Sequence, residues 1–376
     1  MTRNILHIMQ TTNLAGTEHA ALAVMQELQN AGAKFSIVSP RSRGLVWPKL
    51  TAIDPCAQAF PCRDSGLLGK FDPAAFQRFK SHVQSLAEHS DAIWISGSSV
   101  TSLLASHSTT RPKVLSHHVL HFDGRWSSIK WKAFYQLLCR DLDAVTFPTE
   151  LVRSEALRIA PWLRSRAHVA PLGYRLGYAH EQQRKALQVE ARRLLDLPQD
   201  TLIVGNGGRM ITAKRFDIFL DTAAFVLAQD PEAFFVICGS GPVEQEMRQR
   251  AARLGIASRV RFTGWVADLR PHYQAWDLIL FNSDCDTLPR APMEAASHGT
   301  IIVASLLYGG LGEFVLHGRN GYLLDRHDPA ELARLILQVS RDPSLAMQLR
   351  ETARSDLTNH YSVEAGVAFY KRFFDL

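Results

Sequence analysis

Short apolar runs alternate with segments of helical period along the whole chain. In the segments between runs, such as Ala20–Leu28 and Phe76–Leu86, apolar residues recur on one face of a helix. The runs of the first half are Ile5–Met9, Phe35–Val38, Ala92–Ile95, Val114–Leu115 and Ala144–Phe147. Those of the second half are Leu202–Val204, Phe234–Cys238, Val260–Phe262, Leu278–Phe281 and Ile301–Ala304. Strands that alternate with helices predict βαβ units, parallel sheets and an α/β fold class.

The alternation begins a second time near residue 202, which predicts two domains in a chain of 376 residues. We expect two Rossmann-like, doubly wound domains facing a cleft, because ligands of such sheets bind at the carboxyl ends of the strands. The predicted boundaries are 1–175 for the N-terminal domain, with a helix at 363–376 packing back on it, and 195–362 for the C-terminal domain. The polar segment Ala179–Arg193 is the predicted linker.

Composition narrows the classes of protein that this chain can be. With 46% hydrophobic and 21% charged residues it has too much apolar content for a disordered protein. It contains no apolar run of the roughly 20 residues that a membrane-spanning helix needs, so we expect a soluble or peripheral protein. Its five cysteines are scattered and include no C-x-x-C pair, which disfavours a disulfide framework or a zinc site and favours the cytoplasm.

Positive charge is concentrated in the first half of the chain. Residues 1–170 carry 19 Lys and Arg against 12 Asp and Glu, whereas the remainder carries 23 against 24. Such asymmetry is typical of proteins that bind a polyanionic partner or an anionic membrane surface, although an ordinary basic surface also explains it. The segment Gly124–Lys132 interleaves Trp126 and Trp131 with lysines. It predicts either an interfacial membrane anchor or a helix with buried tryptophans and solvated lysines.

Two glycine turns follow strands of the second half. Gly205-Asn206-Gly207-Gly208-Arg209 is followed by Lys214, and Gly239-Ser240-Gly241-Pro242 comes after the next strand. Glycines allow backbone amides to approach a phosphate, and the two cations could hold a diphosphate. A plain strand-to-helix turn remains an alternative for both. The second turn lacks the third glycine of a dinucleotide fingerprint, which disfavours nicotinamide binding.

The segment 281–305 carries two acids that suit a sugar nucleotide. Asp286 is expected in a loop after a strand and Glu294 in the first half of a short helix that begins near Arg290. Carboxylates accept strong hydrogen bonds from sugar and ribose hydroxyls. Asp284-Cys285-Asp286 also matches the D-x-D signature of a metal-dependent transferase, with Asp284 otherwise expected to be a loop residue.

The ordered motifs resemble the nucleotide-binding half of the family 4 retaining glycosyltransferases, which have GT-B architecture. The motifs are GGRMITAKRFD, ICGSGP, RVRFTGWVADL, DTLPRAPMEAASHG, GGLGE and GRNGYLL, within about residues 200–325. The first half is similar at its glycine loop, where Gly16 and Glu18 match and Ala15 replaces a glycine. It is also similar at the strand before the family histidine, placed at His118 with His117 as the rival.

The resemblance implies a role for each matching residue. Arg209 and Lys214 would neutralise the donor diphosphate, Asp286 would contact the sugar, and His118 would lie beside the transferred sugar. Glu294 would bind the ribose. The other donor-binding residues that we expect are Gly16, Gly208, Gly239, Val266, Leu288 and Arg290. No cofactor and no metal are expected, because preorganised cations and amides can stabilise the leaving diphosphate.

We therefore expect a retaining glycosyltransferase that moves a hexose from a nucleoside diphosphate sugar to a glycan, a lipid-linked acceptor or a small molecule. A role in cell-surface polysaccharide or glycoconjugate synthesis and a place in the cytoplasm, as a peripheral protein on the inner face of the membrane, would fit. The alternatives are a GT-B-like nucleotide-sugar epimerase and a non-catalytic polyanion-binding protein, with nucleic acid disfavoured. The nucleotide, uridine or guanosine diphosphate, and the acceptor site stay open. Besides Ala15, two residues depart from the family pattern: Asp286 stands in place of Glu and Arg215 in place of Gly.

Overall fold

The structure is a computed structural model that describes residues 2–12, 16–62, 71–121, 125–171 and 173–376. Its contacts divide the chain into two compact units. The first unit comprises Met1–Gly173 and Tyr361–Leu376, and the second comprises Tyr174–His360. Within the described ranges, no helix combines the length and the apolar composition needed to cross a membrane.

The first unit is built on a seven-stranded parallel sheet. Its strands are β1 Arg3–Met9, β2 Ala33–Ser39, β3 Gln58–Ala59, β4 Ala92–Ser96, β5 Lys113–Ser116, β6 Ala144–Phe147 and β7 Ala167–Val169. Its helices are α1 Gly16–Asn30, α2 Trp47–Ile53, α3 Pro73–Glu88, α4 Val100–Ser106, α5 Arg125–Leu138 and α6 Glu150–Ile159. The strand order is β3-β2-β1-β4-β5-β6-β7, so the order reverses between β1 and β4. Both faces of the sheet are covered, which explains the continuous apolar runs of its strands.

The second unit contains a six-stranded parallel sheet. Its strands are β8 Ile203–Gly207, β9 Phe234–Cys238, β10 Val260–Gly264, β11 Leu278–Asp286, β12 Ile301–Gly309 and β13 Tyr322–Leu324. The helices between α6 and the chain end are α7 Glu181–Leu194, α8 Phe216–Leu227, α9 Glu244–Arg253, α10 Arg270–Ala275, α11 Arg290–Ser297, α12 Pro329–Arg341, α13 Pro343–His360 and α14 Val363–Phe374. The order β10-β9-β8-β11-β12-β13 reverses between β8 and β11. The apolar runs of both halves therefore form parallel α/β sheets, as the sequence predicts.

Helix α14 belongs to the first unit although it follows the second in the chain. Its Tyr370 is buried, and the hydroxyl lies 2.7 Å from Ser116 Oγ and 3.0 Å from Thr146 Oγ1. Ser116 also accepts a hydrogen bond from Trp94 Nε1 at 2.8 Å. The hydroxyl of Tyr370 thus joins the last helix to the side chains of β4, β5 and β6.

The segment Ala179–Arg193 is not a linker. It forms most of α7, which lies inside the second unit. Arg192 of this helix is buried and donates to Asp277 Oδ2 at 2.7 Å and to the carbonyl of Ala275 at 3.0 Å. The charge of the segment is therefore used partly in ion pairs within the helix, such as Arg184 with Glu181, and partly in the long-range pair of Arg192 with Asp277, which composition does not reveal.

Candidate active site

The predicted donor residues of the second unit gather where its strand order reverses. The loop after β8 carries Arg209 and Lys214. The strand next to β8 in the sheet is β11, which ends at Asp286. At such a reversal the connections leave on opposite faces of the sheet, which opens a crevice at the carboxyl ends of the strands. The crevice of this sheet is therefore bordered by the basic loop on one side and by Asp286 on the other.

The glycine turns bring two backbone segments into contact. Gly208 N donates to the carbonyl of Cys238 at 2.9 Å, and Met210 N donates to the carbonyl of Ser240 at 2.9 Å. Gly239 has a φ of 144°, and a Cβ atom there would clash with the carbonyl oxygen of Gly208. Glycine is required at this position because two loops cross without room for a side chain. The two turns thus form one continuous backbone surface beside the crevice.

Arg209 and Lys214 differ in whether a carboxylate pairs with them. Arg209 is exposed, and in the part of the chain that the structure describes it pairs with no carboxylate. Lys214 donates to Asp286 Oδ2, and its ammonium lies 5.1 Å from the centre of the Phe281 ring. The structure therefore brings together two predicted site residues, Lys214 and Asp286, as an ion pair. An incoming diphosphate would meet Arg209 as a free cation and Lys214 as one that already has a partner.

Arg215 holds a backbone conformation that favours glycine. Its φ is 43° and its ψ is 48°, the left-handed region, at the start of α8. The guanidinium donates to Asp217 Oδ2 at 2.9 Å and to Asp284 Oδ1 at 3.1 Å. The hydrogen bond from Arg215 to Asp217 is the main cause of the raised pKa of Arg215. The αL conformation suits the glycine that the family resemblance leads us to expect here, and two carboxylates hold the side chain of Arg215 in its place.

Asp284 and Asp286 are strand residues, contrary to the loop expected for both. β11 continues to Asp286 because it pairs with β12 as far as Gly309, which lies opposite Asp286. Gly309 has a φ of 152°, and a Cβ atom there would clash with the carbonyl oxygen of Asp286. Alternate residues of a strand point to the same face, so both carboxylates meet the basic loop. Each carboxylate of the D-x-D signature is paired with a basic side chain.

Asp284 is also the end of a buried hydrogen-bond chain that the sequence did not suggest. Asn282 Nδ2 donates to Ser305 Oγ at 2.8 Å, and this hydroxyl lies 2.7 Å from His327 Nδ1. His327 Nε2 lies 3.1 Å from Asp284 Oδ1. The polar residues Asn282 and Ser305 within apolar strands are the only signal in the sequence. Among the residues that the structure describes, no three His, Cys, Asp or Glu side chains form a group that could hold a metal ion.

Glu294 is held from two sides. It lies in the second half of α11 rather than the first, where it accepts from Arg290 Nε at 3.1 Å and from the Tyr273 hydroxyl at 3.2 Å. Burial opposes the charge of Arg290, but the carboxylate of Glu294 outweighs it and raises the pKa of Arg290. Burial, together with Glu294, also raises the pKa of Tyr273 well above its usual value. The carboxylate of Glu294 is thus held in place by two hydrogen-bond donors, of which Tyr273 is not indicated by the sequence.

The remaining donor candidates of the second unit border the same edge of its sheet. Leu288 is buried just before α11, and Val266 is partly buried in the loop after β10. The amides at the beginning of α11, including that of Arg290, have no partner within the helix and point along its axis. The side chain of Arg290, by contrast, is directed to Glu294.

The first unit holds the two other predicted residues, Gly16 and His118. Gly16 is the first residue of α1, directly after the position where the strand order reverses, whereas Ala15 lies outside the described residues. His118 is partly buried after β5, and burial lowers its pKa to about 4, so the imidazole is neutral at pH 7. Its rival His117 has no exposed surface and stacks on His121 at 4.9 Å between ring centres.

Helix α5 contains the segment predicted as a possible membrane anchor. Trp131 is buried, with its ring 4.7 Å from the centre of His121 and 5.3 Å from that of Phe134, so it does not anchor at a surface. Ile129 and Leu137 are exposed by 52% and 71%, and Lys130 and Lys132 of the same helix are also exposed. Gly124 and the side chain of Trp126 lie outside the described residues. Among the described side chains of α5, the large apolar ones that are exposed are therefore aliphatic.

Residues 188–356 match the model of the family Glycosyl transferases group 1. A lipopolysaccharide core biosynthesis glycosyltransferase, LpsE of Rhizobium meliloti, is 31% identical over 46% of this chain and 50% of that protein. A D-inositol 3-phosphate glycosyltransferase of Streptomyces avermitilis is 35% identical over 43% of this chain and 37% of that protein. The chain thus spans half or less of the length of these relatives. The matches support the glycosyltransferase family for the second unit.

Solved structures show the fold of the whole chain. HepE of Anabaena, crystallised with UDP and glucose, superposes with a TM-score of 0.82 at 20% identity and covers 100% of both chains. TarM of Staphylococcus aureus, in complex with UDP, superposes with a TM-score of 0.73 at 14% identity and also covers both chains completely. The chain has two Rossmann-like α/β domains of the GT-B class.

Proposed function

We propose that this protein is a retaining glycosyltransferase that moves a hexose from a nucleoside diphosphate sugar to a glycan, glycolipid or small-molecule acceptor. The observation that carries the proposal is the placement of Arg209, Lys214 and Asp286 around the strand reversal of the family-matched unit. HepE, which has a similar fold, was crystallised with UDP and glucose, and this supports a uridine diphosphate sugar as the first donor to test.

Charge development at the leaving group accounts for the residues of the loop after β8. Breaking the anomeric C–O bond leaves positive charge on the sugar and an additional negative charge on the nucleoside diphosphate. Arg209, which is exposed and free of a carboxylate in the described part of the chain, can meet the diphosphate directly. Fixed cations of this kind stabilise the transition state more than the ground state. We propose on this basis that transfer needs neither a metal nor another cofactor.

Two carboxylates would position the rest of the donor. Glu294 is fixed by Arg290 and Tyr273, so an acceptor for the ribose hydroxyls is already in place before the donor binds. Asp286, once Lys214 has turned to the diphosphate, would accept from a sugar hydroxyl. His118, neutral at pH 7, would offer its imidazole to the transferred sugar. Gly16 and Gly239 would contribute backbone amides or the space for close approach, with Val266, Leu288 and Gly208 lining the donor.

The acceptor side rests on the charge and surface of the first unit. Relatives named for lipopolysaccharide core synthesis and for inositol 3-phosphate glycosylation support a glycan or phosphorylated acceptor, and a role in cell-surface glycoconjugate synthesis. Helix α5 exposes both apolar side chains, Ile129 and Leu137, and the cations Lys130 and Lys132. This combination supports a peripheral contact with anionic lipid. We place the protein in the cytoplasm, where free thiols persist, against the inner face of the membrane.

The decisive experiment combines donor binding with product analysis. The purified protein is screened by thermal shift against uridine and guanosine diphosphate sugars, since a ligand at 100 times its dissociation constant stabilises by about 2.7 kcal/mol. The stabilising donor is then incubated with inositol phosphate and lipopolysaccharide core acceptors, and the product anomer is determined by NMR. A new glycosidic bond with the donor's anomeric configuration supports the proposal. An epimerised donor, or stabilisation by polyanions alone, would contradict it.

The membrane contact needs a separate test. Flotation with vesicles containing anionic lipid is compared for the wild type, Lys130→Gln/Lys132→Gln and Ile129→Ser/Leu137→Ser, with exposed Arg193→Gln in the second unit as the control. Neither double variant should float with the vesicles, but both should still bind the donor. Unchanged flotation of both would remove the membrane from the proposal and leave the transferase activity unaffected.

A further inference from the structure

The second unit has a groove at the edge of its sheet opposite to the donor residues. The groove has a volume of about 700 Å³ and is lined by residues near the amino ends of β8, β11 and β12 and by parts of α7 and α13. Arg350 of α13 and Arg184 of α7 line it, with side chains exposed by only 12% and 6%. Two guanidinium groups are thus withdrawn from water in one place.

These two arginines share a single carboxylate. Glu181 accepts from Arg184 through both oxygens, at 2.8 Å each, while Arg350 Nη1 lies 3.8 Å from Glu181, beyond hydrogen-bond distance. The next acid, Asp277, already accepts from Arg192 at 2.7 Å and from the amide of Ile203 at 2.8 Å. Among the described residues Arg350 therefore has no carboxylate within hydrogen-bond distance, and burying a guanidinium without such a partner is costly.

Two buried donors of groove-lining residues also lack acceptors. Arg350 Nε and Thr201 Oγ1 are buried, and neither finds a hydrogen-bond partner among the described residues. Burial and the charge of Arg184 lower the pKa of Arg350. At the rim, exposed Lys185 and Arg341 are accompanied by Asp200 and Asp230, so the guanidinium that lacks a hydrogen-bonded carboxylate is the one withdrawn from solvent, Arg350.

We propose that this groove is a second ligand site, which binds a small oxyanion through the guanidinium of Arg350. A phosphate or carboxylate group fits, because a guanidinium donates two parallel hydrogen bonds to either. The bound anion would give Arg350 a hydrogen-bonded anionic partner and link α13 to α7. The site lies away from the donor crevice, so its occupant would regulate or stabilise the second unit rather than take part in transfer.

Calorimetry on the full chain tests the site with orthophosphate and acetate as separate probes at constant ionic strength. The background variant Arg209→Ala removes the free cation of the donor crevice, so that phosphate bound there does not enter the measurement. We expect saturable binding of one anion in this background. Adding Arg350→Gln should weaken it by about tenfold or more, since charge-assisted hydrogen bonds are lost. The control Arg193→Gln lies on α7, is exposed and lies outside the groove, and should change nothing.

A second variant, expected to raise the phosphate affinity instead of lowering it, keeps the test independent of whether Arg350→Gln folds. Glu181→Gln removes the shared carboxylate and leaves two cations for the anion, so phosphate should bind more tightly and raise the melting temperature more than in the background variant. The absence of saturable binding by both probes, or an affinity that neither substitution alters, would overturn the proposal. Because the readout is binding rather than transfer, this outcome is separate from the failure of the proposed enzymatic activity.

Discussion

The guanidinium of Arg215 donates to Asp284 at 3.1 Å while the backbone of Arg215 stays in the left-handed region. A side chain with a Cβ atom costs about 1–2 kcal/mol in this region relative to glycine. The arginine is retained there by two carboxylates, Asp217 next to it and Asp284 in β11. One residue thus joins the loop that carries Lys214 to the strand that carries Asp286.

We predict that Arg215→Gly is more stable than Arg215→Ala by about 1 kcal/mol. Both variants lose the same two ion pairs, whereas only alanine keeps the cost of the positive φ. Urea unfolding of the two variants side by side measures the difference. Equal stabilities would mean that the backbone changes conformation when the guanidinium is removed.

Arg209→Ala should lower the transfer rate by about 100- to 1000-fold, the usual loss when one donor to a developing negative charge is removed. The side chain is exposed, so the free energy of unfolding should change by less than about 0.5 kcal/mol. Initial rates and a melting curve together check both parts. Exposed Arg193→Gln provides the control, and turnover of Arg209→Ala at the wild-type rate would refute the role assigned to this cation.

Asp286→Asn should bind uridine diphosphate more tightly than the wild type and yet transfer no sugar. In the free protein the carboxylate of Asp286 neutralises Lys214, and a diphosphate must compete with it. Removing the carboxylate leaves the cation free for phosphate. Isothermal titration compares the variant with Lys214→Met, which should bind the nucleotide more weakly. A weaker affinity in Asp286→Asn would show that Lys214 and Asp286 act as one unit on the nucleotide.

The sequence predicts the scaffold better than the pairings that cross it. Buried parallel strands need continuous apolar runs, so the position of the sheets is visible in local composition. For β11 the apolar run predicts a strand only as far as Phe281, because Ser283 and Asp284 break the apolar pattern. In the structure, pairing with β12 continues to Asp286. The partners of Asp284, namely Arg215 and His327, lie 69 and 43 residues away along the chain. No local pattern encodes contacts of that kind, and the same is true of Arg192 with Asp277.

The last prediction concerns acid stability of the first unit. His7 is fully buried, stacked on Trp94 with ring centres 4.2 Å apart, and burial lowers its pKa to about 3 from about 6.5 in the unfolded chain. Between these values the unfolded state binds a proton that the folded state does not, so the free energy of unfolding falls as the pH falls through this window. The loss from His7 alone reaches about 2 kcal/mol at pH 5, and it is absent well above pH 6.5.

Urea unfolding followed by tryptophan fluorescence at pH 7 and pH 5 measures this loss. In His7→Gln the pH dependence should be smaller by that amount, whatever the change in absolute stability from the altered packing. His89→Gln, which replaces an exposed histidine at the end of α3, is the matched control and should retain the wild-type dependence. If His7→Gln lost stability between pH 7 and pH 5 as steeply as the wild type does, the imidazole of His7 would not be the group that takes up the proton on unfolding. The next residues to replace would then be His118 and His121, because burial lowers their pKa values to about 4.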